Sequence, residues 1–199
     1  MIEVTWATPL CEFLRLCSAS RLEKKVLDCG AGGDRPPLSL FHQYGYASHG
    51  VEIAPIPLAQ ARQFTRLHAM DLHLIRGDMR HLPYSDASFS FVYSFNAIFF
   101  MTKAGVAHTM SEIMRVLRRD GLCYVNFLSI DDPDESIFCD TAPCKDLLGS
   151  KRFSKHEDDE ADVLFRDYDV LRKEKRLIEK AHAGGTLVQA YVEYIAQKR

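Results

Sequence analysis

The chain has 199 residues, 47% hydrophobic and 26% charged, the composition of an ordinary soluble globular protein and a length that suits one domain with a substantial core. A formal net charge of −2 argues against the strongly basic face of a broad nucleic-acid binder and leaves only a local basic patch open, so nucleic acid is not the expected partner. No apolar run nears the ~20 residues of a membrane span, and Met1-Ile2-Glu3-Val4-Thr5 has no basic leader region, so a cytoplasmic protein without a membrane partner is expected.

In chain order, the first residues, with Trp6, Phe13 and Leu14, predict a helix outside any sheet, a helical cap over residues 1–22. Val26 and Leu27 read as the end of a buried strand, and Cys29-Gly30-Ala31-Gly32-Gly33 as a turn. Asp34-Arg35-Pro36-Pro37 then opens a helix over residues 36–44, with Asp34 as its N-cap and a proline in its first turn. A second strand near residues 49–53 carries Glu52, which stands 19 positions after Gly33. A helix is expected at 57–69, a strand at 73–77, a strand at 89–95, a helix at 103–117 and a strand at 122–128. Strands separated by helices imply crossovers and a parallel sheet, and the near-continuous apolar runs of the last two strands suit burial on both faces.

The C-terminal third differs. Ser154-Lys155-His156-Glu157 has the spacing of a capping box, and the acidic run 157–162 suits a helix N-terminus. Runs at 170–181 and 186–197, joined through Gly184-Gly185, signal a β-hairpin. Residues 129–153 read as an irregular insertion. None of the six cysteines forms a Cys-x-x-Cys pair, and Cys139 and Cys144 lack the partners of a zinc site, so no metal is expected. Cys29 and Cys123 lie inside apolar strands and read as buried small hydrophobes.

A strand, a glycine turn, a helix and an acid about 20 residues on is how an α/β sheet holds an adenosine ribose. Arg35 is too bulky for the third small position of a dinucleotide fingerprint, and no Gly-Lys-Ser/Thr follows to make a phosphate loop. Asp28, just before the turn, would repel a pyrophosphate and attract an ammonium group. Glu52 would accept hydrogen bonds from both ribose hydroxyls. A cationic head and a ribose diol together describe S-adenosylmethionine. Gly30 and Gly32 would let the backbone pass under the methionine portion, or form an ordinary strand-to-helix turn. Ile53 would pack on the adenine, or serve as a core residue.

The segments VLDCGAGGD, GVEI, IRGDMRHLP, SFSFVYSFN and VLRRDGLCYVNFLS, in this order and spacing, resemble the class I S-adenosylmethionine-dependent methyltransferases, most of all the small free-standing type 11 group. The resemblance runs from about Leu22 to the C-terminus. It implies one domain over residues 1–199 with an α/β, Rossmann-like, doubly wound fold: a mostly parallel seven-stranded sheet with a reversed strand from a C-terminal β-hairpin. It implies methyl transfer to a small-molecule acceptor by in-line displacement, with S-adenosylhomocysteine as product. The cofactor-binding residues it suggests are Asp28, Gly30, Ala31, Gly32, Glu52, Ile53, Asp78, Met79 and Phe95. Of these, Asp78 would accept the adenine amino group, the Met79 amide would donate to a ring nitrogen, and backbone near Phe95 would hold the methionine end. The family commonly has a third glycine where Asp34 stands. The Asn/Asp-Pro-Pro-Tyr/Phe motif of methyltransferases acting on nucleobase amines is missing.

The acceptor pocket is expected between the N-terminal segment and the 129–153 insertion, with Trp6, Asn96, Phe99 and Phe100 as its candidate residues. No catalytic base is named; Tyr84, Tyr93 and His81 qualify only by lying near the expected rim. Three other readings stay open: a non-catalytic S-adenosylmethionine-binding or regulatory protein of the same fold, a nicotinamide-dependent oxidoreductase, which Arg35 and the hairpin oppose, and methylation of tRNA or protein with a partner. The sequence carries no signal for oligomeric state.

Overall fold

The computed structural model describes residues 8–133, 153–182 and 185–199. Its elements run α1 (Thr8–Ala19), β1 (Lys25–Cys29), α2 (Leu38–Gln43), β2 (Ala47–Glu52), α3 (Pro55–Leu67), β3 (Leu74–Arg76), β4 (Phe89–Ser94), α4 (Lys103–Val116), β5 (Leu117–Ser129), β6 (Lys155–His156), a 3-10 turn (Glu160–Phe165), β7 (Tyr168–His182) and β8 (Gly185–Lys198). Seven strands form one sheet in the order β3-β2-β1-β4-β5-β8-β7, and the two-residue β6 adds an eighth strand beside β5. The pairs β1–β2, β1–β4, β2–β3 and β4–β5 are parallel, while β5–β8 and β7–β8 are antiparallel. The fold is therefore the doubly wound, mostly parallel sheet with a reversed C-terminal hairpin that the family resemblance implied.

The alternation of side chains along the central strands feeds two separate cores. Leu27, Val92, Cys123, Val125 and Phe127 face α4 and the 3-10 turn. Val26, Phe91, Tyr93 and Tyr124 face α1 and α2. Every residue of β4 is buried, as a strand covered on both faces requires. Helix α1 sets Leu10, Phe13, Leu14 and Cys17 at i, i+3, i+4 and i+7, a single apolar stripe, and all four are buried against the sheet. Each such leucine or phenylalanine contributes about 1.5–3 kcal/mol by leaving water. Helix α4 starts at Thr102, whose hydroxyl accepts from the Gly105 amide at 3.2 Å. No helix among the described residues is long and apolar enough to cross a membrane.

Two local expectations are corrected. Asp34 is exposed and is not an N-cap. Helix α2 starts at Leu38 after Pro37, with no side-chain cap, because the two prolines supply fixed φ angles that start the helix later. Ser154 to Glu157 is not a capping box either. The Ser154 amide donates to the Phe99 carbonyl at 2.8 Å, and Lys155–His156 pairs with the end of β5, so the segment is held as extended chain. The 3-10 turn begins only at Glu160, whose Oε2 accepts from the Glu157 amide at 3.1 Å.

Candidate functional site

The chain leaves β1 at Cys29 and turns at Gly30, whose φ of +117° lies in the left-handed half of the map. The amides of Gly30 and Ala31 both donate to the Val51 carbonyl, at 2.9 and 3.1 Å, pinning the loop to the carboxyl end of β2. A Cβ on Gly30 would stand 2.2 Å from the Ala97 Cβ, and one on Gly32 would stand 2.6 Å from both Glu52 Oε2 and the Pro57 Cβ. The glycines are thus required by the close meeting of three edge loops. Ala31 itself is fully buried and packs into the core on the α1 face. The Gly77 amide donates to the Glu52 carbonyl at 3.1 Å, and the Met79 methyl reaches the Gly30 position. Segments far apart in sequence, holding Gly30, Gly32, Glu52, Met79 and Ala97, therefore converge at the carboxyl edge, where ligands bind in open α/β sheets.

Glu52 is half-buried. Its Oε1 accepts from the Ala54 amide at 2.7 Å. Burial pushes its pKa up, against backbone hydrogen bonds from Ala54, Ile53 and Gly32 that favour the charged form. Ile53 beside it is half-buried.

Asp28 is 1% exposed. The Tyr93 hydroxyl, directly across on β4, donates to its Oδ2 at 2.8 Å, while Oδ1 is buried with no partner among the described residues. Burial raises its pKa to about 8, opposed by the Tyr93 hydrogen bond and reinforced by the Glu52 charge. Tyr93 is therefore not a rim residue: it is wholly buried, stacked on Phe41 and touched by Phe13.

Asp78 is engaged by its own loop. The Arg80 Nε lies 3.0 Å from both carboxylate oxygens, Nη2 lies 2.6 Å from Oδ2, and the Arg80 amide donates to Oδ1 at 2.9 Å. Burial works to raise its pKa, but Arg80 outweighs it and holds the carboxyl low.

At the end of β4, Phe95 packs beside Tyr124, and Asn96 adopts φ +54°. The Asn96 amide donates to Asn126 Oδ1 at 2.7 Å, and Asn126 Nδ2 donates to Asn96 Oδ1 at 2.6 Å, a reciprocal lock between β4 and β5. Asn126 lies opposite Glu193 of β8, which accepts from Tyr124 at 3.1 Å and from Arg176 at 3.2 Å. Phe99 is buried against Tyr191, whereas Phe100 is 39% exposed and packs edge-on against Phe153. Trp6 and residues 134–152 of the expected insertion lie outside the described residues, as do Cys139 and Cys144.

Sequence reasoning missed Tyr93 as the partner of Asp28, Arg80 as the partner of Asp78, and the pair Asn126 and Glu193. Asn126 did carry a signal, a lone amide in the apolar run Tyr124-Val125-Asn126-Phe127-Leu128. The others depend on strand register and loop geometry.

Residues 27–125 match the family described as a methyltransferase domain, of the type 11 group. No curated protein matches the chain. Solved structures are similar in fold. A protein from Pyrococcus horikoshii gives a TM-score of 0.69 at 19% identity, with 94% of this chain and 89% of that one covered. An S-adenosylmethionine-dependent methyltransferase from Methanosarcina mazei gives 0.67 at 16% identity, covering 98% and 99%. The 1,6-didemethyltoxoflavin-N1-methyltransferase of Burkholderia thailandensis, solved with 1,6-didemethyltoxoflavin and S-adenosylhomocysteine bound, gives 0.65 at 15% identity, covering 96% and 77%.

Proposed function

We propose that this chain, which belongs to the class I S-adenosylmethionine-dependent methyltransferases of the type 11 group, transfers a methyl group to a small-molecule acceptor as a single domain. Its cofactor is S-adenosylmethionine. The observation that carries the reading is the cradle at the carboxyl edge, where the side-chain-free turn of Gly30 and Gly32 meets Glu52, close to a buried Asp28 oxygen that has no partner among the described residues. An unpaired buried carboxylate oxygen is costly, and a ligand ammonium would satisfy it.

In this reading Asp28 holds the ammonium group and Glu52 accepts from the ribose hydroxyls. Ile53, Asp78 and Met79 bound the adenine, and backbone near Phe95 holds the methionine end. The bound sulfonium supplies a methyl group that is already activated. The work left to the chain is to hold the acceptor in line and keep water out. Asn96, fixed by Asn126, and the aromatic side chains Phe99 and Phe100 stand next to that position. A neutral amine, thiolate or carboxylate acceptor needs no general base.

The test is calorimetric titration with S-adenosylmethionine, S-adenosylhomocysteine and NAD, followed by a methyl-transfer screen over small amines, thiols, phenols and carboxylic acids. Micromolar binding of the first two ligands, none of NAD, and turnover of an acceptor are the expected results. Binding without turnover of any acceptor would favour a regulatory protein of the same fold.

A further inference from the structure

We infer that Tyr93 and Asp28 form a proton-coupled latch for the cofactor: Tyr93 positions the Asp28 carboxyl, and arrival of the ligand's ammonium group drives the Asp28 proton out to solvent. The inference rests on the cofactor site proposed above and adds to it a residue and a pH dependence.

The geometry is specific to two adjacent strands. Asp28 and Tyr93 are register partners on β1 and β4, so their side chains share one face of the sheet. Tyr93 can use its hydroxyl only in place, because its ring is clamped between Phe41 at 5.1 Å and Phe13 at 6.1 Å, centroid to centroid. That hydroxyl occupies Oδ2 and leaves Oδ1 without a partner among the described residues, to carry the proton or, once ionised, to accept from a ligand. The ionisable groups acting on Asp28 are Tyr93 from β4 and Glu52 from β2, and the residues of α1 and α2 packed over Tyr93, Phe13 and Phe41, bring no charge. No cation of the described residues offsets the carboxylate. A carboxyl so placed keeps its proton near neutral pH, until a ligand cation changes the local charge.

The chemistry balances without another reactant. The protonated carboxyl becomes a carboxylate, the proton passes to buffer, and the ligand ammonium pairs with the carboxylate. Binding competence is then confined to the deprotonated fraction, which grows about tenfold per pH unit below the midpoint. Tyr93 stabilises the charged form by its hydrogen bond, so its loss moves the midpoint to higher pH.

S-adenosylhomocysteine is the probe, titrated calorimetrically between pH 6 and 8 in buffers of different ionisation enthalpy. This range stays below the titration of most of the ligand's own ammonium. For the unaltered chain the expected results are an affinity that rises about tenfold from pH 6 to 7 and release of about one proton per ligand at pH 7. Tyr93→Phe should bind at least about tenfold more weakly at pH 7, with the rise displaced to higher pH. Asp28→Asn keeps the volume of the side chain and should release no proton. Thermal melts of both variants show that they fold. Binding by the unaltered chain without proton release, or an unshifted pH profile in Tyr93→Phe, would overturn the latch and leave the cofactor site standing. No binding at any pH would overturn both.

Discussion

Two carboxylates lie buried on the same face of this sheet, each held by a tyrosine hydroxyl from the neighbouring strand, and they differ in one partner. Asp28 of β1 has Tyr93 alone. Glu193 of β8 has Tyr124 and, in addition, the Arg176 guanidinium from β7. Burial raises the pKa of both, but at Glu193 the arginine opposes it, and both its oxygens are used. At Asp28 one oxygen has no partner among the described residues, and the Glu52 charge beside it is repulsive. A buried acid with its cation belongs to the fold, and a buried acid lacking one is poised for a ligand. The acid at the hairpin end is therefore paired among the described residues, while at the β1–β2–β4 end the ammonium group of the proposed cofactor would supply the missing partner.

The sharpest way to separate the two is to break the complete one. Arg176→Met leaves Glu193 buried without its cation, and removing one partner of a buried pair should cost about 2–3 kcal/mol, the lower range because Arg176 is part-exposed. Denaturant unfolding measures the loss, and S-adenosylhomocysteine affinity should be unchanged. If affinity falls as well, the two ends of the sheet are coupled and the contrast between them fails.

Glu52→Ala tests the other end. Hydrogen bonds to a charged group are worth about 1.5–3 kcal/mol, so loss of the pair to the ribose should weaken S-adenosylhomocysteine at least about tenfold while the chain stays folded. Unchanged affinity in the calorimeter would mean that the ribose lies elsewhere.

Asp28→Asn sharpens the contrast through stability alone, with no ligand present. The folded chain holds a proton on Asp28 up to about pH 8, whereas the unfolded chain releases it near the ordinary aspartate value of 3.8. The stability this group contributes is therefore full below about pH 4 and is lost as pH climbs towards about 8. Asparagine has no such dependence, so at pH 8 the variant should be more stable than the unaltered chain by about 1 kcal/mol or more, roughly 2–4 °C in Tm. A melting curve whose pH dependence is the same in both chains would show that Asp28 is ionised without its ligand.

The contrast also explains what the sequence could disclose. The glycine turn, Asp28 and Glu52 are legible because the first βα turn and the next strand end are local, and their spacing is set by one strand and one helix. Strands β4 and β5 announce themselves by apolar runs, and the hairpin by Gly184-Gly185 between two extended stretches. Tyr93 is invisible as the Asp28 partner because 65 residues separate them, and only parallel register brings them together. Glu193 is hidden likewise, 69 residues from Tyr124 and brought to it by the antiparallel register of β5 and β8. The Ser154 capping box fails because a tertiary contact, its amide to Phe99, outbids a local pattern that cannot know which strand lies beside it.

The smallest expected effect concerns Asp78, an acid of the proposed cofactor end that is paired with a cation. Its pairing with Arg80 is part-exposed, with side chains 26% and 41% accessible, so it should contribute no more than about 1 kcal/mol to folding. A carboxylate has about four lone-pair directions. Arg80 takes most of them through its Nε, Nη2 and amide. Arg80→Ala removes the guanidinium bonds and keeps the amide bond. It frees lone pairs for an adenine amino group and at the same time loosens the loop that presents them. These two consequences oppose each other, and S-adenosylhomocysteine affinity should stay within about threefold of the unaltered chain. A tenfold loss would show that Arg80 is what aims Asp78. A tenfold gain would show that Arg80 competes with the ligand, and would place Asp78 beside Glu193, as a carboxylate whose partner comes from the protein.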